Sequence, residues 1–109
     1  MQIRITARHE QPSSLDKAYI EERINKYDHF DPHVNEVHVI LTAEKFRHET
    51  ELVALGKHVR LSARVIADHL REAFDMAFEK LRRQLKKHHE RERTALMRRT
   101  PRRGARAGA

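Results

Sequence analysis

The chain has 109 residues, no cysteine, no tryptophan and three glycines; 39% of it is hydrophobic, 36% charged, and its formal net charge is +7. That length supports one domain with a modest core, and the absence of cysteine excludes disulfides, thiol catalysis and thiolate metal sites. No apolar run reaches the roughly eighteen residues of a membrane span, and the opening Met1-Gln2-Ile3-Arg4-Ile5 has no signal-peptide apolar region, so a cytoplasmic location is expected.

Met1, Ile3, Ile5 and Ala7 alternate with Gln2, Arg4, Thr6 and Arg8, the period-2 pattern of a half-buried strand. Pro12-Ser13-Ser14 breaks the chain, and Ser13 with Asp16 three residues on forms a capping box that opens a helix. Leu15, Tyr19, Ile20, Ile24 and Tyr27 give that helix one apolar face, and Asp31-Pro32 ends the segment. A second strand follows, with Val37, Val39, Leu41 and Ala43 on one face. Glu44 to His48 reads as a polar connection. Glu49–Leu55 is predicted as a third strand, Gly56-Lys57 as a tight turn and His58–Val65 as a fourth strand, which makes an antiparallel hairpin. From about Ala67 the period becomes helical: Leu70, Phe74, Ala77, Phe78, Leu81 and Leu85 form one stripe, with Asp68 as the predicted N-cap. The order is β-α-β-β-β-α, an α+β fold with one four-stranded sheet and both helices on one face.

Charge is partitioned along the chain. Lys80–Ala109 carries twelve Lys or Arg against two acids, a net of +10, whereas Met1–Glu79 carries eleven against fourteen, a net of −3. Lys80, Arg82, Arg83, Lys86 and Lys87 all avoid the apolar stripe, and no acid lies between Lys80 and Lys87 to pair with them. Solubility and complementarity to the helix dipole account for part of such a run. Uncompensated cations with seven further arginines beyond them point to a polyanion partner. The helix offers only Gln84 for reading base edges, so phosphate contact and recognition of structured RNA by shape fit better than major-groove readout. Phe46 is the one aromatic expected to be exposed for base stacking.

Nine histidines raise the question of a metal. His38, His48 and His58 are spaced so that they could neighbour one another across a sheet, but a solvated polar face is the stronger reading, and no metal site is assigned. With three glycines the chain carries no phosphate-binding loop or nucleophile elbow, and Glu21, Glu22, Glu49 and Glu51 fall on outward faces. The reading is a non-enzymatic protein with no cofactor and no small-molecule substrate.

Several segments resemble the ribosome hibernation-promoting factor family, which includes the ribosome-associated translation inhibitors, also known as sigma-54 modulation proteins. They are Met1-Gln2-Ile3-x-Ile5-Thr6-x-Arg8, Tyr19-Ile20-Glu21-Glu22-Arg23-Ile24, Val37-His38-Val39-Ile40-Leu41, Glu44-Lys45 with Arg47-His48, and Lys80-Leu81-Arg82-Arg83-Gln84-Leu85-x-Lys87. The likeness covers residues 1–89. It implies a fold similar to double-stranded-RNA-binding domains and binding in the cleft of the small ribosomal subunit. There a family member occupies the path of mRNA and tRNA, inhibits translation and preserves idle ribosomes. Short members act with a separate ribosome modulation factor, and this chain resembles a short form.

The resemblance carries rRNA contacts onto Lys80, Arg83 and Lys87 of the basic helix, Lys45 and His48 of the loop between the second and third strands, and Arg8 at the end of the first. Arg82 and Lys86 are added on charge and geometry. One departure is His69-Leu70-Arg71-Glu72-Ala73-Phe74-Asp75, where Arg71 stands in place of a common tyrosine. The expected organisation is a ribosome-binding domain over residues 1–89 and a basic, disordered tail over 90–109. The alternative is a general nucleic-acid binder that works through the basic helix and tail.

Overall fold

A computed structural model describes the backbone of residues 1–27, 30 and 32–108, and side chains among these as far as Thr94. The elements are β1 (Gln2–Arg8), α1 (Ser14–Lys26), β2 (Val34–Glu44), β3 (Arg47–Gly56), β4 (Val59–Ala67) and α2 (Leu70–Gly108). The strands form one sheet in the order β1-β2-β3-β4. β1 lies parallel to β2, as a crossover through α1 requires, and the two hairpins make the remaining pairs antiparallel.

Register explains the core. Ile3, Val37, Ala54 and Leu61 lie abreast, then Ile5, Val39, Leu52 and Ala63, then Leu41, Thr50 and Val65. Side chains in register share a face, and this face meets Ile20 and Ile24 of α1 and Phe74, Ala77, Phe78, Leu81 and Leu85 of α2 in one cluster. Phe74 and Phe78 stack at 5.6 Å, and each receives the edge of a tyrosine from the α1 side, Tyr19 and Tyr27 respectively.

The capping box forms as its residues predict: Ser13 Oγ accepts from the Asp16 N–H at 3.0 Å, and the Asp16 carboxylate accepts from the Ser13 N–H. Leu15, expected on the apolar face, is 73% exposed because it sits on the turn before α1 reaches the sheet. α1 ends at Lys26 with Tyr27 as C-cap, ahead of Pro32; Asp31 lies outside the described residues. His69, whose carbonyl accepts from the Ala73 N–H, caps α2 one residue beyond Asp68.

Both turns differ from the sequence reading. β2 and β3 are joined by Lys45-Phe46 alone, and Arg47 and His48 belong to the strand. The third turn is Lys57-His58, one residue later than Gly56-Lys57, and His58 takes the left-handed conformation at φ 61°. Gly56 is needed for another reason. The β2–β3 register slips between Val34 and Glu36, which brings the His33–Val34 backbone over Gly56, and a Cβ there would overlap the His33 carbonyl. α2 passes residue 89 without a break; residues 90–100 contain no Gly or Pro and include Glu, Arg, Ala, Leu and Met, which favour helix. No helix among the described residues is long and apolar enough to cross a membrane.

Candidate functional site

α2 runs antiparallel to β4 and is held by its apolar stripe and by a polar contact in which Gln84 Nε2 donates to the Ser62 carbonyl at 2.6 Å. β4 is the edge strand, so this bond satisfies a group that the sheet leaves open. It also commits Gln84 to the fold and removes the one base-reading amide from the basic run.

The contact fixes the rotation of α2 and thereby sorts the cations. At about 100° per residue, Lys80 and Lys87 fall within roughly 20° of one another on the flank next to Gln84 and the β4 edge, and Arg83 lies roughly 40° beyond Lys87, opposite the apolar stripe. Arg82 and Lys86 lie on the other flank, toward α1 and Tyr27. All five are expected to face solvent together; the structure sets Lys80 and Lys87 on one flank, Arg82 and Lys86 on the other, and Arg83 between them.

The five differ in how far their charge is engaged. Lys80, Arg83 and Lys87 are exposed and have no ion-pair partner among the described residues. Arg82 is engaged: its Nη1 pairs with the Glu79 carboxylate at 3.2 Å, and its guanidinium stacks 5.1 Å over the Tyr27 ring. Lys86 is exposed and lines an open groove of ≈ 690 Å³ with Tyr27, Phe30, Arg82, Arg83 and His89. Arg60 is exposed two residues from Ser62 on β4, on the sheet face away from α2, because Val59 and Leu61 take the core face.

Arg8, Lys45 and His48 gather at the opposite end of the sheet, where β1 finishes and the β2–β3 hairpin turns. In register, Arg8 faces Thr42, and His48 faces both Ala43 and Ala67. Arg8 and Lys45 are exposed and without an ion-pair partner among the described residues. His48 is turned inward. Its Nδ1 lies 2.7 Å from Oε1 of Glu10, whose side chain is only 7% exposed and whose Oε2 is buried with no hydrogen-bond partner. Against an ionised carboxylate, which only accepts, Nδ1 is the donor of this contact. His48 thus ties the segment after β1 to the start of β3.

His38, His48 and His58 do not come together. His38 is mid-sheet with Nε2 at 2.8 Å from Thr6 Oγ1, His48 is at the hairpin end, and His58 is in the turn at the other end. The expected neighbourhood across the sheet fails because in the observed register His38 faces Val53 and His48 faces Ala43. No group of three metal-ligating side chains occurs among the described residues.

A polar clamp joins the two helices and holds α2 at its angle. Tyr19 Oη lies 2.7 and 2.8 Å from the two Asp75 oxygens, and burial followed by this carboxylate pushes the phenol above its ordinary value. Arg71, one of the departures noted in the His69–Asp75 segment, donates from Nε to Asp16 Oδ1 at 3.0 Å and stacks 4.7 Å over Tyr19. That hydrogen bond, opposed by desolvation and aided by the Ser13 cap, holds the Asp16 carboxyl below the usual carboxylate range.

The fold matches that of a ribosomal subunit interface protein from Coxiella burnetii, with a TM-score of 0.74 and 18% identity over 83% of this chain and 99% of that one. The N-terminal domain of Protein Y from Thermus thermophilus is similar at a TM-score of 0.72 and 18% identity, covering 81% of this chain and 99% of that one. Among curated protein sequences nothing matches the chain. The sequence model of one family matches residues 3–93, which takes in every strand, α1, and α2 through the whole Lys80–Lys87 run. The chain belongs to the sigma-54 modulation protein / S30EA ribosomal protein family.

Proposed function

We propose that this protein is a non-enzymatic ribosome-binding factor that docks on small-subunit rRNA and occupies the channel for mRNA and tRNA. By doing so it inhibits translation and stabilises idle ribosomes in stationary phase or under stress. Membership of a family described by a ribosomal protein, and structural likeness to a ribosomal subunit interface protein, support the ribosome and hence the cytoplasm as its place of action. The observation that carries the mode of binding is the unpaired stripe of Lys80, Arg83 and Lys87 on a rigidly seated helix. Phosphate oxygens are the natural counter-charge for such a stripe.

Residues 1–89 form the docking domain in this reading, and 90–109 extend it with further positive charge. Arg8, Lys45 and Lys86 add unpaired cations, while Arg82 and His48 contribute less because Glu79 and Glu10 already engage them. A separate ribosome modulation factor is a further partner if the protein acts as short family members do.

Co-sedimentation with purified small subunits across a salt series, alongside inhibition of a reconstituted translation reaction, tests the proposal. Six unpaired cations on phosphates imply that affinity falls about 300- to 2,000-fold between 50 and 200 mM salt. Association indifferent to salt, or none, refutes it. If residues 88–109 alone bound as well as the full chain, the general nucleic-acid binder would be the better account.

A further inference from the structure

Phe46 is 91% exposed at the tip of the β2–β3 hairpin. The other five aromatic residues are buried or half-buried, so Phe46 alone presents its ring to solvent. Its turn is only two residues long and is braced by the pairs Glu44 with Arg47, Ala43 with His48 and Thr42 with Glu49. Lys45 takes the left-handed conformation there at φ 55°. A ring held on so short a turn has little entropy left to lose when it meets a partner.

The surroundings select the partner's chemistry. Lys45 and Arg47 flank the ring, both exposed and without an ion-pair partner among the described residues. Beneath it, a groove of ≈ 350 Å³ runs to Ile66, itself 51% exposed, between Glu44 and Glu49. Arg64 neutralises Glu49 at 2.7 Å, so the groove keeps a net positive charge, with Glu44 as a lone acceptor for base-edge N–H groups. An aromatic face between two free cations suits a flat, electron-rich ring attached to phosphates.

We infer that Phe46 is a base-stacking finger: its ring stacks on an unpaired RNA base against Ile66, while Lys45 and Arg47 hold the phosphates on either side. This rests on the rRNA reading and goes beyond it by assigning the hairpin tip to single-stranded or bulged nucleotides. Paired bases in a helix are already stacked and offer no free face. Stacking of this kind tolerates any base, since each has a π-face.

Because the chain has no tryptophan, Phe46→Trp places a single indole reporter at the tip. Its fluorescence should be quenched on binding small subunits and on binding a single-stranded RNA of about twelve nucleotides, but not the same strand in duplex. Phe46→Ala and Phe46→Leu should each bind about 5- to 150-fold more weakly at fixed salt, with the salt dependence unchanged because no charge is lost. An unquenched indole on a bound subunit overturns the inference. So does wild-type affinity in Phe46→Leu, which would mark an apolar contact with protein. If wild type fails to bind subunits at all, the ribosomal reading falls. The single-stranded RNA arm still decides stacking, for by quenching and against without it.

Discussion

Neutralising the Lys80 stripe should change how binding responds to salt, and by an amount that the unequal pairing of the α2 cations fixes in advance. Each phosphate contact contributes about 0.7–0.9 to the slope of log affinity against log salt. The triple variant Lys80→Gln, Arg83→Gln, Lys87→Gln loses three such contacts, so its slope should be shallower by about 2–3. Between 50 and 200 mM salt the wild type should therefore lose about 20- to 40-fold more affinity than the triple variant does. The paired variant Arg82→Gln, Lys86→Gln removes two formal charges, but Arg82 is already opposed by Glu79 at 3.2 Å and stacked on Tyr27. Its slope should change by about 1.

The assay is equilibrium co-sedimentation with small subunits at four salt concentrations, run beside thermal unfolding of each variant. Lys80, Arg83 and Lys87 are exposed and make no ion pair among the described residues, so their replacement should leave stability within about 0.5 kcal/mol. Equal slope changes in the two variants would refute the argument that Glu79 and Tyr27 withhold Arg82 from phosphate. Weaker binding at an unchanged slope would show that the stripe does not touch phosphate.

Three further outcomes follow from the fold that carries the stripe. Gly56→Ala should destabilise by about 1–3 kcal/mol or more by denaturant titration, because the added Cβ meets the His33 carbonyl, which is backbone and cannot swing aside. Tyr19→Phe should cost about 1.5–3 kcal/mol, since it leaves the half-buried Asp75 carboxylate without its phenol donor. Asp16 has its folded pKa below its ordinary value, so its contribution to stability is present above about pH 4 and is lost as pH falls through the folded value. Removing the guanidinium in Arg71→Gln should flatten that acid limb of the stability–pH curve, and an unchanged limb would count against the Arg71–Asp16 bond.

Much of the fold was legible because its signals are local. The alternation in β1 and β2, the Ser13–Asp16 box and the stripe from Leu70 to Leu85 each specify an element without reference to the rest of the chain. Legibility failed where a distant segment decides. Leu15 matches the apolar period of α1 but lies beyond the sheet's cover. Gly56 looks like a turn residue but serves a close backbone approach created by the slip at Asn35. His48 reads as a loop cation, yet Glu10, 38 residues away in sequence, draws its Nδ1 inward. Arg71 looks like a loss from the family pattern until Asp16 is seen across the helix pair.

The candidate site repeats that lesson in charge. A run of five cations on one helix reads as a single basic surface, and in solution its net charge alone would attract any polyanion. What the fold adds is unequal availability. Gln84 on the Ser62 carbonyl turns Lys80 and Lys87 toward the open edge and leaves Arg83 on the outer face, while Glu79 and Tyr27 take up Arg82 on the other side. A disordered peptide with these residues would neutralise phosphates in any order. A seated helix presents three at fixed spacing, within about 10 Å along its axis, and so favours a phosphate arrangement of matching shape. Specificity for structured RNA over polyanions in general thus depends on the contacts that orient α2, and loosening the Gln84 or Asp75 anchors should erode it before it erodes the electrostatic attraction.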